Sequence, residues 1–442
     1  MRRGGASAYV RTVARAAGLA AAGVLACVMP ARADARPVFQ PVEALSLDTL
    51  EREVRAGAPA FSAARRDALA AEAESRQARL YENPTLDAAW GTVPVGQTNP
   101  ADLSRPFARV PNYAVGLGYT FPVGKRPARR TRADALTRAA GAEVDLSARE
   151  LALSLAEVLG QLATATLRRQ GIGDLVAGGK RAIELAEARV RAQFGAPLDV
   201  DQIRIEVERT EALLAEVDSE IERGRAECAA LVGVPCRNFE SASAARAYLA
   251  RWFAPRVGAT RISERADLRA LAAYGDAASA EARLARATRL PDPTVRLGYV
   301  HDRFLVSGNQ LNSLNLSVSV PLPVFDRGQV RAGAADTARR MITEERARRL
   351  AVAEARAPAL ESRLALSRGR CQRLEREVIP SALKVLTSLE TAAEARLLPL
   401  TQVIQSRRIV SELFIEEAES CGEAYVAALA LIRERPPEGE LP

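Results

Sequence analysis

The sequence predicts a mixed α and β membrane protein. Two tandem repeats each give two membrane-crossing β-strands and a hairpin of long coiled-coil helices. Three observations point there. Four short segments alternate between apolar and small polar residues. Each pair of these segments is flanked by long helical stretches rich in Ala, Arg and Glu, and the arrangement recurs after about 200 residues. The chain opens on a segment of secretory type.

Residues 1–33 carry Arg2, Arg3, Arg11, Arg15 and Arg32 and no acid, around an apolar run at 16–29. That run is shorter than the roughly 20 apolar residues a spanning helix needs. Residues 1–33 are therefore expected to be a signal peptide, cleaved after Ala33 or Ala35. Val24-Leu25-Ala26-Cys27 also resembles a lipoprotein box that would acylate Cys27, and a chance cysteine in the apolar run is the competing reading. The formal charge is +8 over 442 residues; subtracting those five arginines leaves +3, which argues against a nucleic-acid partner. Only 5% of residues are aromatic against 48% hydrophobic, so alanine dominates the packing.

The first repeat spans 34–262. A helical pattern over 45–82, interrupted at Gly57-Ala58-Pro59, stops at Asn83-Pro84. A strand is expected at about 85–93, with Leu86, Ala88 and Trp90 on one face. A second is expected at about 112–121, with Tyr113, Val115, Leu117, Tyr119 and Phe121 facing one way and Ala114, Gly116, Gly118 and Thr120 the other. A helical hairpin then occupies about 126–232. Its return arm carries Ile203, Val207, Thr210, Leu214, Val217 and Ile221 at coiled-coil spacing.

The second repeat spans 263–435 and follows the same order. Strands are expected at about 294–301 and 313–320 and a hairpin at about 328–433, before a tail at 436–442. Asn83-Pro84-Thr85 is echoed by Asp292-Pro293-Thr294, and Phe121-Pro122-Val123 by Val320-Pro321-Leu322. The glycines at 171, 173, 178 and 179, with Pro358 and Pro380, are expected to bend the long rods.

Strands of nine or ten residues suit a tilted crossing of a bilayer. The faces carrying Ser, Asn, Thr, Gly, Asp87 and Arg296 suit a wet lumen, and Trp90, Tyr119, Phe121, Tyr299 and Phe304 suit the headgroup levels. Four strands cannot stand alone in lipid, because two edges would leave backbone groups unpaired. Nor can they enclose water, since about eight strands are just filled by their own side chains. Self-association follows, and three copies would supply twelve strands and twelve helical segments.

On this layout the chain resembles the TolC-like outer-membrane factors. The run Val318-Ser319-Val320-Pro321-Leu322-Pro323-Val324-Phe325-Asp326-Arg327-Gly328-Gln329, and Gly124-Lys125-Arg126 followed by Arg129, Arg130 and Arg132, look most like the cation-efflux, CzcC-like branch. The resemblance implies a homotrimer: a 12-stranded β-barrel in outer-membrane lipid on a 12-helix periplasmic α-barrel. It implies a passive exit duct of a tripartite system, reached through a periplasmic adaptor from an inner-membrane RND pump, with heavy-metal cations as cargo. The tips, at about 194–199 and 396–401, would meet the adaptor through Phe194, Gly195, Ala196 and Pro197, and through Leu397, Leu398 and Pro399. Asp199 and Asp201 fall where family members narrow the pore with carboxylates; the second repeat offers Gln402 and Gln405 instead. Drug export, type I secretion, or a soluble periplasmic coiled-coil scaffold are the alternatives.

No enzyme is expected, and no cofactor. One histidine, His301, is incompatible with most triads and with multi-histidine zinc sites. Acid pairs such as Glu344-Glu345 and Glu416-Glu417 read as solvated helix face. The mature chain keeps four cysteines. Cys371 and Cys421 are equidistant from the second tip, so antiparallel helices folded there would bring them to one height, within reach of a disulfide. Cys228 and Cys236 flank a helix end and could pair locally.

Overall fold

The computed structural model describes residues 39, 46–91, 112–253, 262–302, 310–395 and 397–435. The expected signal peptide with Cys27, the loop at 92–111, Phe304 and the 436–442 tail lie outside the described residues.

The elements, in chain order, are α1 (Leu47–Gly57), α2 (Phe61–Arg79), β1 (Thr85–Gly91), β2 (Asn112–Thr120), α3 (Lys125–Arg191), α4 (Pro197–Val232), α5 (Ala242–Trp252), α6 (Ala266–Ala287), β3 (Thr294–Asp302), β4 (Asn312–Ser319), α7 (Gln329–Arg373), a π-helical segment (Leu374–Val378), α8 (Ile379–Glu394) and α9 (Leu400–Glu434). The strands form one antiparallel sheet in the order β1-β2-β3-β4. The β2–β3 pairing joins the two repeats, although α3, α4, α5 and α6 separate those strands in sequence. Next to the sheet the helices keep the same neighbour order, α2 on α3, α3 on α6 and α6 on α7, so each strand hands over to a helix in place. Farther along, α3 packs on α4 and α9, and α9 on α8. At 67 residues, α3 is about 100 Å long at 1.5 Å per residue.

Where two helices run beside one another near the sheet, the buried residues are alanines, Ala135, Ala277 and Ala280. Small side chains let the rods lie close. The largest core sits farther along. There α1 and α5 pack on α3, and Leu50, Leu155, Leu159, Leu162, Tyr248, Trp252, Tyr425 and Ile432 are enclosed. A third cluster, with Leu175, Val207, Leu386, Val403 and Val410, lies toward the tips. The expected seam of α4 is buried at Ile203, Val207, Thr210, Val217 and Ile221.

The long rods keep their helical ladder through most of the residues expected to bend them. α3 runs unbroken through Gly171, Gly173, Gly178 and Gly179. Three of these glycines are seats for neighbours: a Cβ would lie 2.6 Å from Phe414 at position 171, 2.5 Å from Arg407 at 178, and 2.5 Å from Val207 at 179. They permit close approach rather than breaking the helix. Likewise Pro358 lies inside α7, which continues past it. Pro380 acts as expected of a residue without an N–H: the ladder before it widens into the π segment, and Ile379 N–H bonds to Leu374 O.

Glu417 is not solvated. It is 3% exposed, because α5 packs over α9 there, and it accepts from Arg246 Nη2 at 2.7 Å. The same guanidinium lies 3.4 Å from Glu375 in the π segment.

Candidate functional site: the one-sided sheet and the hairpin tips

Register turns alternation into two opposite surfaces. Leu86, Leu117, Leu297 and Leu316 are direct partners across all four strands, and Ala88, Val115, Tyr299 and Leu314 form the next row. Among the described residues nothing covers them: Leu86 is 74% and Leu316 69% exposed. A soluble sheet would bury such a face on its own helices. Among the described residues the order of the strands leaves β1 and β4 each paired on one side only.

At the loop end, Trp90, Tyr113, His301 and Asn312 make one row. The Tyr113 and His301 rings stack with centroids 4.8 Å apart. Tyr299 Oη donates to Asn312 Oδ1 at 2.7 Å, and His301 Nδ1 lies at the same distance from that oxygen. Rings with an apolar body and a polar tip suit the boundary between lipid and water. Tyr119 and Phe121 pack edge to face at the helix end.

The other surface is polar. Thr85, Gly118, Arg296 and Ser317 form one row and Asp87, Gly116, Gly298 and Asn315 the next. Arg296 Nε reaches Asp87 Oδ2 at 3.1 Å. At the helix end the Thr120 and Thr294 hydroxyls share a hydrogen bond of 2.9 Å.

At the first tip α3 ends at Arg191, and α4 begins at Pro197, so the turn is 192–196. Gln193 takes the left-handed conformation, φ 61°, rather than Gly195. A Cβ on Gly195 would sit 3.1 Å from Arg189 Cβ, so a side chain there would be crowded. Phe194 and Leu198 are exposed, Asp199 is half-buried in the first turn of α4, and Asp201 is exposed near Arg204. At the second tip Leu397 and Pro399 are exposed, Leu398 is half-buried, and Pro399 caps α9. Gln402 and Gln405 are exposed on α9. Asp199 and Gln402 therefore hold matching places in the first turns of the two return helices, with Asp201 and Gln405 in the turn that follows.

The cysteines are paired. Cys371 and Cys421 join α7 to α9 with Cα atoms 4.9 Å apart, and Cys228 joins Cys236 at 6.0 Å. Among the described residues no His/Cys/Asp/Glu cluster could hold a metal ion, and no helix is long and apolar enough to cross a membrane.

Residues 260–378 match the family described as outer membrane efflux protein. Over 411 residues the chain is 28% identical to the cobalt-zinc-cadmium resistance protein CzcC of Cupriavidus metallidurans, covering 90% of this chain and 92% of that protein. The likeness to that protein runs through both repeats, whereas the family match falls within the second. Its fold matches CusC, whose crystal structures concern transmembrane channel formation, with a TM-score of 0.70 at 13% identity over 91% of this chain and 99% of that one. It matches the outer membrane protein VceC of Vibrio cholerae at 0.66 and 18% identity, over 88% and 96%. Residues 260–378 thus carry the outer membrane efflux protein pattern, and the fold is shared with these outer-membrane proteins.

The sequence missed three features. Helix α5 has too short an apolar period to stand out, yet it carries Tyr248 and Trp252 into the core. The Arg296–Asp87 contact needs a register that only the folded β1-β2-β3 order supplies. The third, the α5 contact that buries Glu417, has no local signal at all.

Proposed function

We propose that three copies of this chain close into a twelve-stranded barrel and a twelve-helix tube, forming the passive exit duct of a tripartite efflux system. The observation that carries this reading is the uncovered apolar face of a sheet with two unpaired edges. In lipid each unpaired backbone group costs several kcal/mol, and closure between copies removes both edges at once. The polar face, with Arg296, Asp87, Asn315 and Ser317, then lines the lumen.

The exposed tip residues Phe194, Ala196, Pro197, Leu397 and Pro399 supply the adaptor contact. Asp199 and Asp201, with Gln402 and Gln405, supply the constriction, and an RND pump in the inner membrane supplies the energy. Heavy-metal cations are the cargo best supported, through the likeness to the cobalt-zinc-cadmium resistance protein. A duct with few ligands suits passage without tight binding. The oxidising compartment suits two disulfides, and Cys27 would add a lipid anchor.

Planar-bilayer recording of the purified oligomer tests the duct. Discrete ohmic conductance steps support it, and a protein that inserts no conductance refutes it. Loss of cobalt, zinc and cadmium tolerance on deletion of the gene, restored by the gene in trans, tests the cargo.

A further inference from the structure

The turn leaving β2 is capped inside the chain. Phe121 N–H donates to Pro293 O at 2.9 Å, and Val123 N–H donates to Asp292 Oδ1 at 3.0 Å. Lys125 Nζ reaches Asp292 Oδ2 at 2.6 Å, and Leu290 Cδ1 lies 3.2 Å from where Gly124 would carry a Cβ. The segment entering β3 thus covers the turn leaving β2, because β2 and β3 are neighbours.

The repeat copies both halves of this contact but separates them. Val320-Pro321-Leu322 stands where Phe121-Pro122-Val123 does, and Asn83-Pro84-Thr85 where Asp292-Pro293-Thr294 does. The first lies at the outer edge of β4 and the second at the outer edge of β1. Among the described residues the N–H groups of Val320 and Leu322 have no partner, nor have the Asn83 amide and the Pro84 carbonyl. All four residues are exposed.

We infer that the turn leaving β4 caps the segment entering β1 of a neighbouring copy, with Val320 N–H on Pro84 O, Leu322 N–H on Asn83 Oδ1, and Phe325 on Tyr81. The inference rests on the ring proposed above, in which β4 of one copy meets β1 of the next. A second copy is the occupant because the chain already holds the template of the contact in its own β2–β3 junction.

The β4 turn is longer than its counterpart and rigidly built. Val324 N–H donates to Leu322 O at 2.8 Å, Gln329 Nε2 to Phe325 O at 3.0 Å, and Gly328 N–H to Asp326 Oδ1 at 2.8 Å. Gly328 has φ +72°, and a Cβ there would lie 2.2 Å from Ala285 O, so no other residue fits. This frame holds Phe325 out at 92% exposure. Tyr81 occupies the position equivalent to Leu290, which touches the β2 turn. Beside it lies a cleft of about 370 Å³ lined by Leu80, Tyr81, Asn83, Arg129 and Arg132. A ring held out by such a frame is the kind of aromatic that anchors a partner in a pocket.

The test places cysteines at Asn83 and Leu322 together in the full chain, purified in detergent and mildly oxidised. A ladder reaching three chains on a non-reducing gel is expected, and neither single-cysteine variant should give it. A three-chain particle by light scattering that runs as single chains on that gel overturns the contact while leaving the ring intact. A single-chain particle overturns the ring and the contact with it. Phe325→Ala should lower the temperature at which the oligomer dissociates by several degrees with unchanged helical content. An unchanged dissociation temperature overturns the role given to Phe325.

Discussion

Arg296 on β3 lies 3.1 Å from Asp87 on β1, and the pair spans β2 above Gly116 and Gly118. A Cβ on Gly118 would lie 2.7 Å from Thr85 Oγ1 and 3.6 Å from Arg296 Nε. Glycine on the central strand therefore clears a floor on which a long cationic side chain can lie flat. Both partners are half in solvent, so the pair contributes at most about 1 kcal/mol. Its consequence is electrical. Asp87→Asn leaves the guanidinium uncompensated on the lumen wall, and the zero-current potential in a salt gradient should move toward anion preference. Arg296→Gln should move it the other way. Unchanged potentials in both variants would contradict a lumenal position for this face.

Gly160 faces the ring of Tyr425, and a Cβ would come within 2.2 Å of it. Tyr425 Oη donates to Ala156 O at 2.6 Å and meets Tyr248 Oη at 3.0 Å. Gly160→Ala should cost about 1–3 kcal/mol by overpacking. Tyr425→Phe should cost about 1–3 kcal/mol by orphaning the buried Tyr248 hydroxyl and removing the second bond to Ala156 O. Thermal melts followed by circular dichroism measure both. Burial pushes both phenols above their ordinary range. The folded state thus holds protons that the unfolded state releases, so stability is full at neutral pH and falls as pH rises past about 10.

The acid side has its own reporter. Ser75 Oγ donates to Asp134 Oδ1 at 2.8 Å and Arg79 lies at 3.1 Å, which hold the carboxyl below the usual range. A depressed carboxylate stabilises the fold above its ordinary pKa, and that contribution fades as pH falls through the folded value. Ser75→Ala should lower the melting temperature at pH 7 more than at pH 3. Equal losses at both would contradict the linkage.

The two disulfides should differ in worth. Cys371–Cys421 closes 50 residues and Cys228–Cys236 closes 8. Chain entropy assigns about 4 and about 2.5 kcal/mol respectively. Alanine at both ends of the longer bridge should therefore depress the urea midpoint more than alanine at both ends of the shorter one.

Much of this molecule was legible in the sequence because each signal is local. Alternation marked the strands to within a residue or two, and proline and glycine marked their ends. The echo of Asn83-Pro84 in Asp292-Pro293 exposed the repeat. What stayed hidden depends on partners distant in sequence. Gly178 and Gly179 read only as points of bending because the approach of Arg407 and Val207 is invisible locally. Glu417 read as solvated because the residue that pairs with it, Arg246, sits on a helix 171 positions away. The tip candidates Asp199, Asp201, Gln402 and Gln405 were found by resemblance, and the matching first-turn places of Asp199 and Gln402 came from the fold.

The account's central claim is that the four one-sided strands of one chain are a share of a ring. Native mass measurement of the protein extracted in mild detergent tests it most directly. Three chains in one particle, obtained only with detergent or lipid, is the predicted result. A single chain that stays dissolved in plain buffer would contradict it.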